Sequence, residues 1–342
     1  MPDYKPTNAA SSDVKIEKKR LKELMRRSDA PGLIYLAKWI ASLMITGLPI
    51  WYLMDTVYVW PAMFIYGVFL TVPSYAMSHE TAHGTAFKSR WLNETVLWIT
   101  SILYMEEPLH RRYTHTNHHT FTWFVGKDSQ MPFDTPMGFG GWLLEFSGIG
   151  LLRFHIGVLL RIMFGRFTPT MRAVTPDGEF GKMTRNSWVF FAAYAAIGYG
   201  IYAGYTELLW FLVIPRLMGA PIMLLFTLIQ HVELQENSQS IIDSTRSFTT
   251  NAVAQFLYMN MNNHVEHHLY PQIPFHALDA TAVEIKDQVP APDRGFIRVN
   301  WEVFVVTLRR SLGLSTKAPT IRQAPHMISD GGPIERVAKR TM

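Results

Sequence analysis

Two copies of the pattern His-x-x-His-His occur in this chain, His115-Thr116-Asn117-His118-His119 and His264-Val265-Glu266-His267-His268. A related His-x-x-x-His lies upstream of both, at His79-Glu80-Thr81-Ala82-His83. On a helix, residues i, i+3 and i+4 share one face, so each box presents its imidazoles to one point. Imidazole is a common nitrogen ligand for iron, zinc and copper. A lone histidine usually means a surface or satisfied core residue, but 13 histidines in 342 residues do not fall into three such boxes by chance. The boxes offer eight ligands, and His231 would make a ninth. One zinc takes three or four. Eight or nine fit two ions in five- or six-coordination. An all-nitrogen shell without thiolate suits iron used for oxygen activation, with positions left open for dioxygen.

Other chemistries share some of these residues. His79-Glu80-Thr81-Ala82-His83 also reads as HExxH, the helix of a zinc metalloprotease, with Glu80 as general base. A membrane zinc metalloprotease needs one further ligand and leaves both His-x-x-His-His boxes unexplained. A carboxylate-bridged di-iron bundle uses paired Glu-x-x-His motifs. Glu80/His83 and Glu107/His110 match that spacing, but Pro108 interrupts the second. A metal transporter places its ligands near mid-membrane, whereas these boxes fall at the ends of apolar stretches and beyond. The chain has no cysteine, which excludes disulfides, a Cys nucleophile and Cys-ligated iron–sulfur or rubredoxin-type centres.

The elements that must position the histidines follow from the apolar runs. Hydrophobic residues make up 48% of the chain and are concentrated in long stretches, which marks an integral membrane protein. Residues 1–31 are polar and basic, with no cleavable signal peptide. Val14, Leu21, Leu24 and Met25 line one side of a possible helix suited to an anionic leaflet. Residues 33–54, 57–77, 187–206 and 208–230 are the expected spans, the last interrupted by Pro215 and Arg216. The stretch 91–105 is too short to cross and is expected as re-entrant or interfacial. Residues 139–164 are interrupted by Glu145, Arg153, His155 and Arg161, which fits an amphipathic helix lying on the membrane. Short helices are expected around 277–288 and 300–312, with the last thirty residues loosely ordered. Four spans in two hairpins put both termini, all three boxes and His231 on one side. That side holds abundant Lys and Arg, while the turns at 55–56 and 206–207 hold none, so it is expected to be cytoplasmic.

The boxes, their order and the span layout resemble the membrane fatty acid desaturase/hydroxylase superfamily. Arg112-Tyr113-Thr114 before the second box, Ser244-Thr245-Arg246-Ser247-Phe248 before the third, and Leu269-Tyr270-Pro271-Gln272-Ile273-Pro274-Phe275-His276 after it extend the likeness. It covers about residues 33–285. The resemblance implies a non-haem di-iron enzyme that uses O2 and two electrons to attack an unactivated C–H bond. It implies His231 as a ligand beside His79, His83, His115, His118, His119, His264, His267 and His268. It also implies an acyl lipid or small hydrophobic substrate, with a small polar metabolite as the alternative.

The resulting expectation is an all-α integral membrane enzyme: four transmembrane helices in two hairpins under a cytosolic His-rich helical cap. It divides into a basic arm (1–32), a membrane and di-iron domain (33–285) and a C-terminal helix and tail (286–342). Without Cys, flavin, nicotinamide or haem motifs, an external donor of ferredoxin, rubredoxin or cytochrome b5 type with its reductase is expected. Membrane lipid is the surrounding partner, in the inner membrane if the source is bacterial, and no nucleic acid is expected. His110 and His276 are candidates for positions beside the metal, and His155 and His326 for the surface. Asn262 and Asn263 are expected to cap or turn rather than to hold a metal-bound water.

Overall fold

The computed structural model describes residues 14–131 and 135–316, and His326 lies outside them. The described residues are helical and contain no strand; an isolated parallel bridge joins Phe248 and Asp293. A short helix α1 (Lys18–Leu24) leads into α2 (Asp29–Leu53) and α3 (Val59–His83). Then come α4 (Arg90–Tyr104), α5 (Pro108–Thr120), α6 (Phe139–Phe146), α7 (Ile149–Met163), α8 (Pro169–Val174) and α9 (Phe180–Tyr202). The next helix, α10 (Leu209–Leu228), opens as a π turn over Leu209–Val213. Pro215 follows that widened turn and has no N–H to give the ladder. The short helices α11 (Ile241–Ser244), α12 (Ala252–Leu257), α13 (His264–Leu269) and α14 (Leu278–Ile285) precede α15 (Phe296–Ser311).

Among the described residues, three helical stretches are long and apolar enough to cross a membrane: Lys18–Leu53, Val59–His83 and Leu209–Leu228. At 1.5 Å per residue, 25 residues of α3 reach about 37 Å, enough to cross a hydrocarbon core. The third expected span, 187–206, lies mostly in α9, which ends at Tyr202 and is not among the three. The stretch 139–164 is not one helix but two, α6 and α7, set at 70°. The break is Gly148, whose φ of 74° an L side chain would resist. Together the bent pair is apolar enough for a fourth, broken crossing.

Helices α3 and α10 are the centre of the fold. Where they cross, a Cβ on Gly67 would sit 2.1 Å from the Pro215 oxygen, and one on Gly219 would sit 2.0 Å from the Gly67 oxygen. The two backbones touch, as small residues allow between apolar helices. Pro73 leaves the Phe69 carbonyl without its intrahelical donor. The indole of Trp39, on α2, supplies one at 2.7 Å. Arg216 does not snorkel outward: its Nη2 donates to the Tyr104 carbonyl at 2.7 Å, at the negative end of α4.

The basic arm differs from expectation. Val14, Ile16 and Leu24 are buried, in one cluster with Val265, Ile273, Leu278, Ile285 and Val289. Their apolar side covers the third-box segment and α14, not a lipid leaflet, while Met25 is exposed. Arg27 fastens the arm to both ends of the site, donating to the Gly84 carbonyl at 2.9 Å and to Gln272 Oε1 at 2.7 Å.

Candidate metal centre

Each histidine is delivered by a different local device. His79 and His83 occupy the last turns of α3, which stops at Gly84 in the left-handed conformation. His115, His118 and His119 lie on α5, capped by the Glu107 carboxylate accepting from the His110 N–H at 2.6 Å. Arg112 ties this helix to α3 and α4, through the Ala82 carbonyl at 3.3 Å and Glu94 at 3.0 Å. His264, His267 and His268 share one face of α13. Ser247 starts that helix by accepting from Val265 N at 2.9 Å and donating to Glu266 at 2.6 Å. His231 follows the end of α10, where Arg246 gives its guanidinium to the Ile229 carbonyl at 2.6 Å.

The nine side chains converge into two groups. His79, His83, His115, His119 and His267 form one, and His118, His231, His264 and His268 the other. Within each group the ligand-capable nitrogens all lie within 4.8 Å of one another. Several Nε2 atoms face each other directly: His83–His115 at 2.9 Å, His115–His119 at 3.1 Å, His231–His264 at 3.1 Å and His264–His268 at 3.1 Å. The groups adjoin, with the His119 and His268 rings stacked at 4.2 Å. Both nitrogens of His79 and of His267 are buried without a partner among the described residues. Buried polar atoms are rarely left so, and a metal in the first group, to which both belong, would use one nitrogen of each.

Burial lowers the basicity of His115, His119, His264, His267 and His268 well below the ordinary imidazole, with the neighbouring imidazoles adding to it. Burial, followed by His118, brings His231 down to about 3. These rings are therefore neutral near pH 7, the form that ligates metal.

Five of the nine, His115, His118, His231, His264 and His268, have Nδ1 partners that the sequence did not disclose. His115 Nδ1 meets Gln130 Oε1 at 2.9 Å, and His118 Nδ1 meets Asp128 Oδ2 at 2.8 Å. His231 Nδ1 meets the Ser244 carbonyl at 2.8 Å, and His268 Nδ1 meets Thr122 Oγ1 at 3.1 Å. An Nδ1–H given to oxygen leaves the Nε2 lone pair for a metal. Gln230 lies 2.9 Å from His264 Nδ1; ligation through Nε2 requires it to present its amide oxygen there. Asp128 stays ionised despite burial, because His118 and the N–H groups of Gln130 and Trp123 hold its carboxylate below the usual range. Asp128→Asn is expected to weaken metal binding to the second group about 10- to 100-fold and to spare the first. Metal titration read by metal analysis checks this.

The other histidines sort differently. His110 is buried with its Nδ1 3.5 Å from Glu106, beside the site but bonded to none of the nine. His155, expected on the surface, is buried and stands edge-on to the Tyr104 ring at 5.0 Å. His276 packs on Phe275 and belongs to neither group. Asn262 and Asn263 bond to the Phe248 carbonyl and to Asp279, holding the turn before α13. Glu80 belongs to neither group; its Oε1 accepts from Phe275 N at 3.0 Å and ties the first box to the tail of the third.

Residues 54–300 match the fatty acid desaturase family. None of the curated proteins matches the chain.

Proposed function

The chain belongs to the fatty acid desaturase family, and from that premise we propose that it is an O2-dependent membrane oxidoreductase that desaturates or hydroxylates an unactivated C–H position. The observation that carries this is the division of the nine histidines into two adjoining groups with no carboxylate in either. Two non-haem irons fit those groups, one held by His79, His83, His115, His119 and His267, the other by His118, His231, His264 and His268. When bound, they would supply the oxidant that removes hydrogen from carbon. Hydroxylation consumes one O2, two electrons and two protons and yields alcohol and one water; desaturation consumes the same and yields alkene and two waters. The chain's part is to orient the imidazoles through Asp128, Gln130, Thr122 and Ser244 and to keep the site away from bulk water. Products formed under 18O2 with an electron donor and candidate substrates test it: label in the product means hydroxylation, and an unlabelled alkene means desaturation. Metal-dependent peptide cleavage with no O2 uptake would sink it.

The metalloprotease alternative loses support from Glu80, whose carboxylate is engaged by the Phe275 N–H rather than facing a histidine group. An acyl lipid is the expectation that the resemblance carries. A small polar substrate is favoured by the cavity against the histidines, whose walls include Glu106, Arg111, His110 and Gln130.

The same reading places four spans in two hairpins, with the histidine cap on the cytoplasmic side. Electrons then come from a separate protein of ferredoxin, rubredoxin or cytochrome b5 type. Exposed Lys18, Lys19 and Lys22 on the cap offer it a basic face. Exposed charges are screened beyond about 10 Å at 0.1 M salt. Added salt should therefore raise the KM for the donor and leave kcat at saturating donor unchanged. Turnover by the purified chain with NAD(P)H alone would contradict the separate donor.

A further inference from the structure

The cavity beside the histidines has a volume of about 130 Å3. Ligand pockets for drug-sized molecules start near about 300 Å3, so this one suits a molecule of few atoms. One wall is histidine: His79, His115, His118, His231 and His264. The rest of the lining includes Glu106, Arg111, Tyr104 and His155.

Arg111 is the informative residue there. It is 3% exposed, and its guanidinium lies over the Tyr75 ring, 4.8 Å from the centroid. Nη1 pairs with Glu106 Oε2 at 3.3 Å. Nε and Nη2 make no hydrogen bond of ordinary geometry among the described residues, the Tyr75 side chain being the group nearest to accepting one. Those two N–H groups form one edge of the guanidinium, the edge that receives a carboxylate through two parallel hydrogen bonds. His155, 4% exposed, likewise has both ring nitrogens without a partner among the described residues. Burial of such donors is costly unless something accepts from them. Glu106 does not repel an anion outright, because Arg111 already offsets its charge. Glu145, also in the wall, offers an acceptor for a hydroxyl or amine elsewhere on the same molecule.

A second observation concerns the surface beside this cavity. A wider depression on the surface is lined by Lys127, Arg153 and Arg161, all exposed. It shares His110, Thr114, Ser129 and Phe154 with the inner cavity. Among the described residues its one acid, Asp128, is committed to His118. A mouth with an excess of one sign concentrates ligands of the other.

We propose that the substrate is a small carboxylate, drawn in through this basic vestibule and seated on the Nε/Nη2 edge of Arg111 with its C–H bonds toward the two histidine groups. This rests on the oxidoreductase reading above and names the substrate class for that same site. Arg111 here binds and positions.

The test is equilibrium dialysis of the iron-loaded protein in lipid nanodiscs against labelled hexanoate. Hexanamide, hexyltrimethylammonium and palmitate are the comparisons. Saturable hexanoate binding is expected, with the amide and the ammonium at least about 10-fold weaker, since a hydrogen-bonded charge carries that much. Arg111→Met should lose hexanoate binding and keep both irons. If Glu106 left unpaired prevents folding, the double variant Arg111→Met/Glu106→Gln removes both charges at similar volume and should also lose hexanoate. His155→Phe, which leaves the charges alone, should weaken hexanoate several-fold. Equal binding of hexanamide, preference for the ammonium, binding of palmitate alone, or unaltered hexanoate binding in the Arg111 variants would each overturn the proposal. A protein that takes up no iron would instead overturn the oxidoreductase reading; one that holds two irons and ignores hexanoate overturns only the substrate class.

Discussion

His231→Ala is expected to lower bound iron from two per chain to one and to abolish turnover while the chain stays folded. His231 belongs to the smaller group, with His118, His264 and His268. Its loss leaves three nitrogens and also removes the 3.1 Å neighbour of His264 Nε2. His83→Ala acts on the group of five and leaves four. That variant is expected to keep two irons at saturating metal, with weaker retention of one of them. The contrast separates ligation from a merely structural role, because both side chains come from the ends of the same packed helix pair. Folding persists because the His231 imidazole bonds to Ser244 and His264 and carries no part of the helix core. Metal analysis of desalted protein reads the result. Two irons and normal activity in His231→Ala would remove His231 from the site. One zinc and no iron in the wild type would return the metalloprotease, and Glu80→Gln should then abolish activity with the metal still bound.

The histidines were legible because helical ligand sets repeat at fixed local spacing. The three boxes name eight of the histidines, and the ninth, His231, came from the resemblance; all nine fall in the two groups. The expectation that each box serves one point does not hold. The second box is split, with His115 and His119 in one group and His118 in the other, and so is the third, with His267 apart from His264 and His268. On one helix, neighbouring positions point about 100° apart, so adjacent histidines serve different points. The groups that orient them were hidden for another reason. Asp128 and Gln130 are 10 and 15 residues from the histidines they meet, across a turn with no pattern of its own. Buried polar residues far from any box were equally opaque: His155 looked like a break in an apolar face, yet α7 turns it inward. The arm misled because its spacing is that of any amphipathic segment. Val14 and Leu24 cover Ile273 and Ile285, and sequence shows an apolar side but not what meets it.

The α3–α10 crossing leads to the second expected result. Gly219→Leu should cost the protein both metal groups, because the two helices that meet there hold or lead to three of the nine ligands. Helix α3 ends in His79 and His83, and α10 leads to His231. A Cβ at 219 would lie 2.0 Å from the Gly67 carbonyl oxygen and 2.4 Å from its carbon. Both are backbone atoms of a packed helix and have no rotamer to move into. Overpacking a core usually costs about 1–3 kcal/mol, and here whole helices must part, so the expected loss is at the top of that range or above. Two controls bound it. Gly47→Ala would bring a Cβ to 3.2 Å from the Tyr66 ring, which can shift. Gly157→Ala faces nothing within 4 Å. Gly157→Ala is expected to melt within a degree or two of wild type, as substitutions away from packing contacts do. Gly219→Leu is expected to lower the melting temperature by about 5 °C or more, or to yield no monodisperse protein, with iron falling below one per chain. Recovery of Gly219→Leu with two irons and wild-type melting would show that the histidine groups do not depend on this crossing.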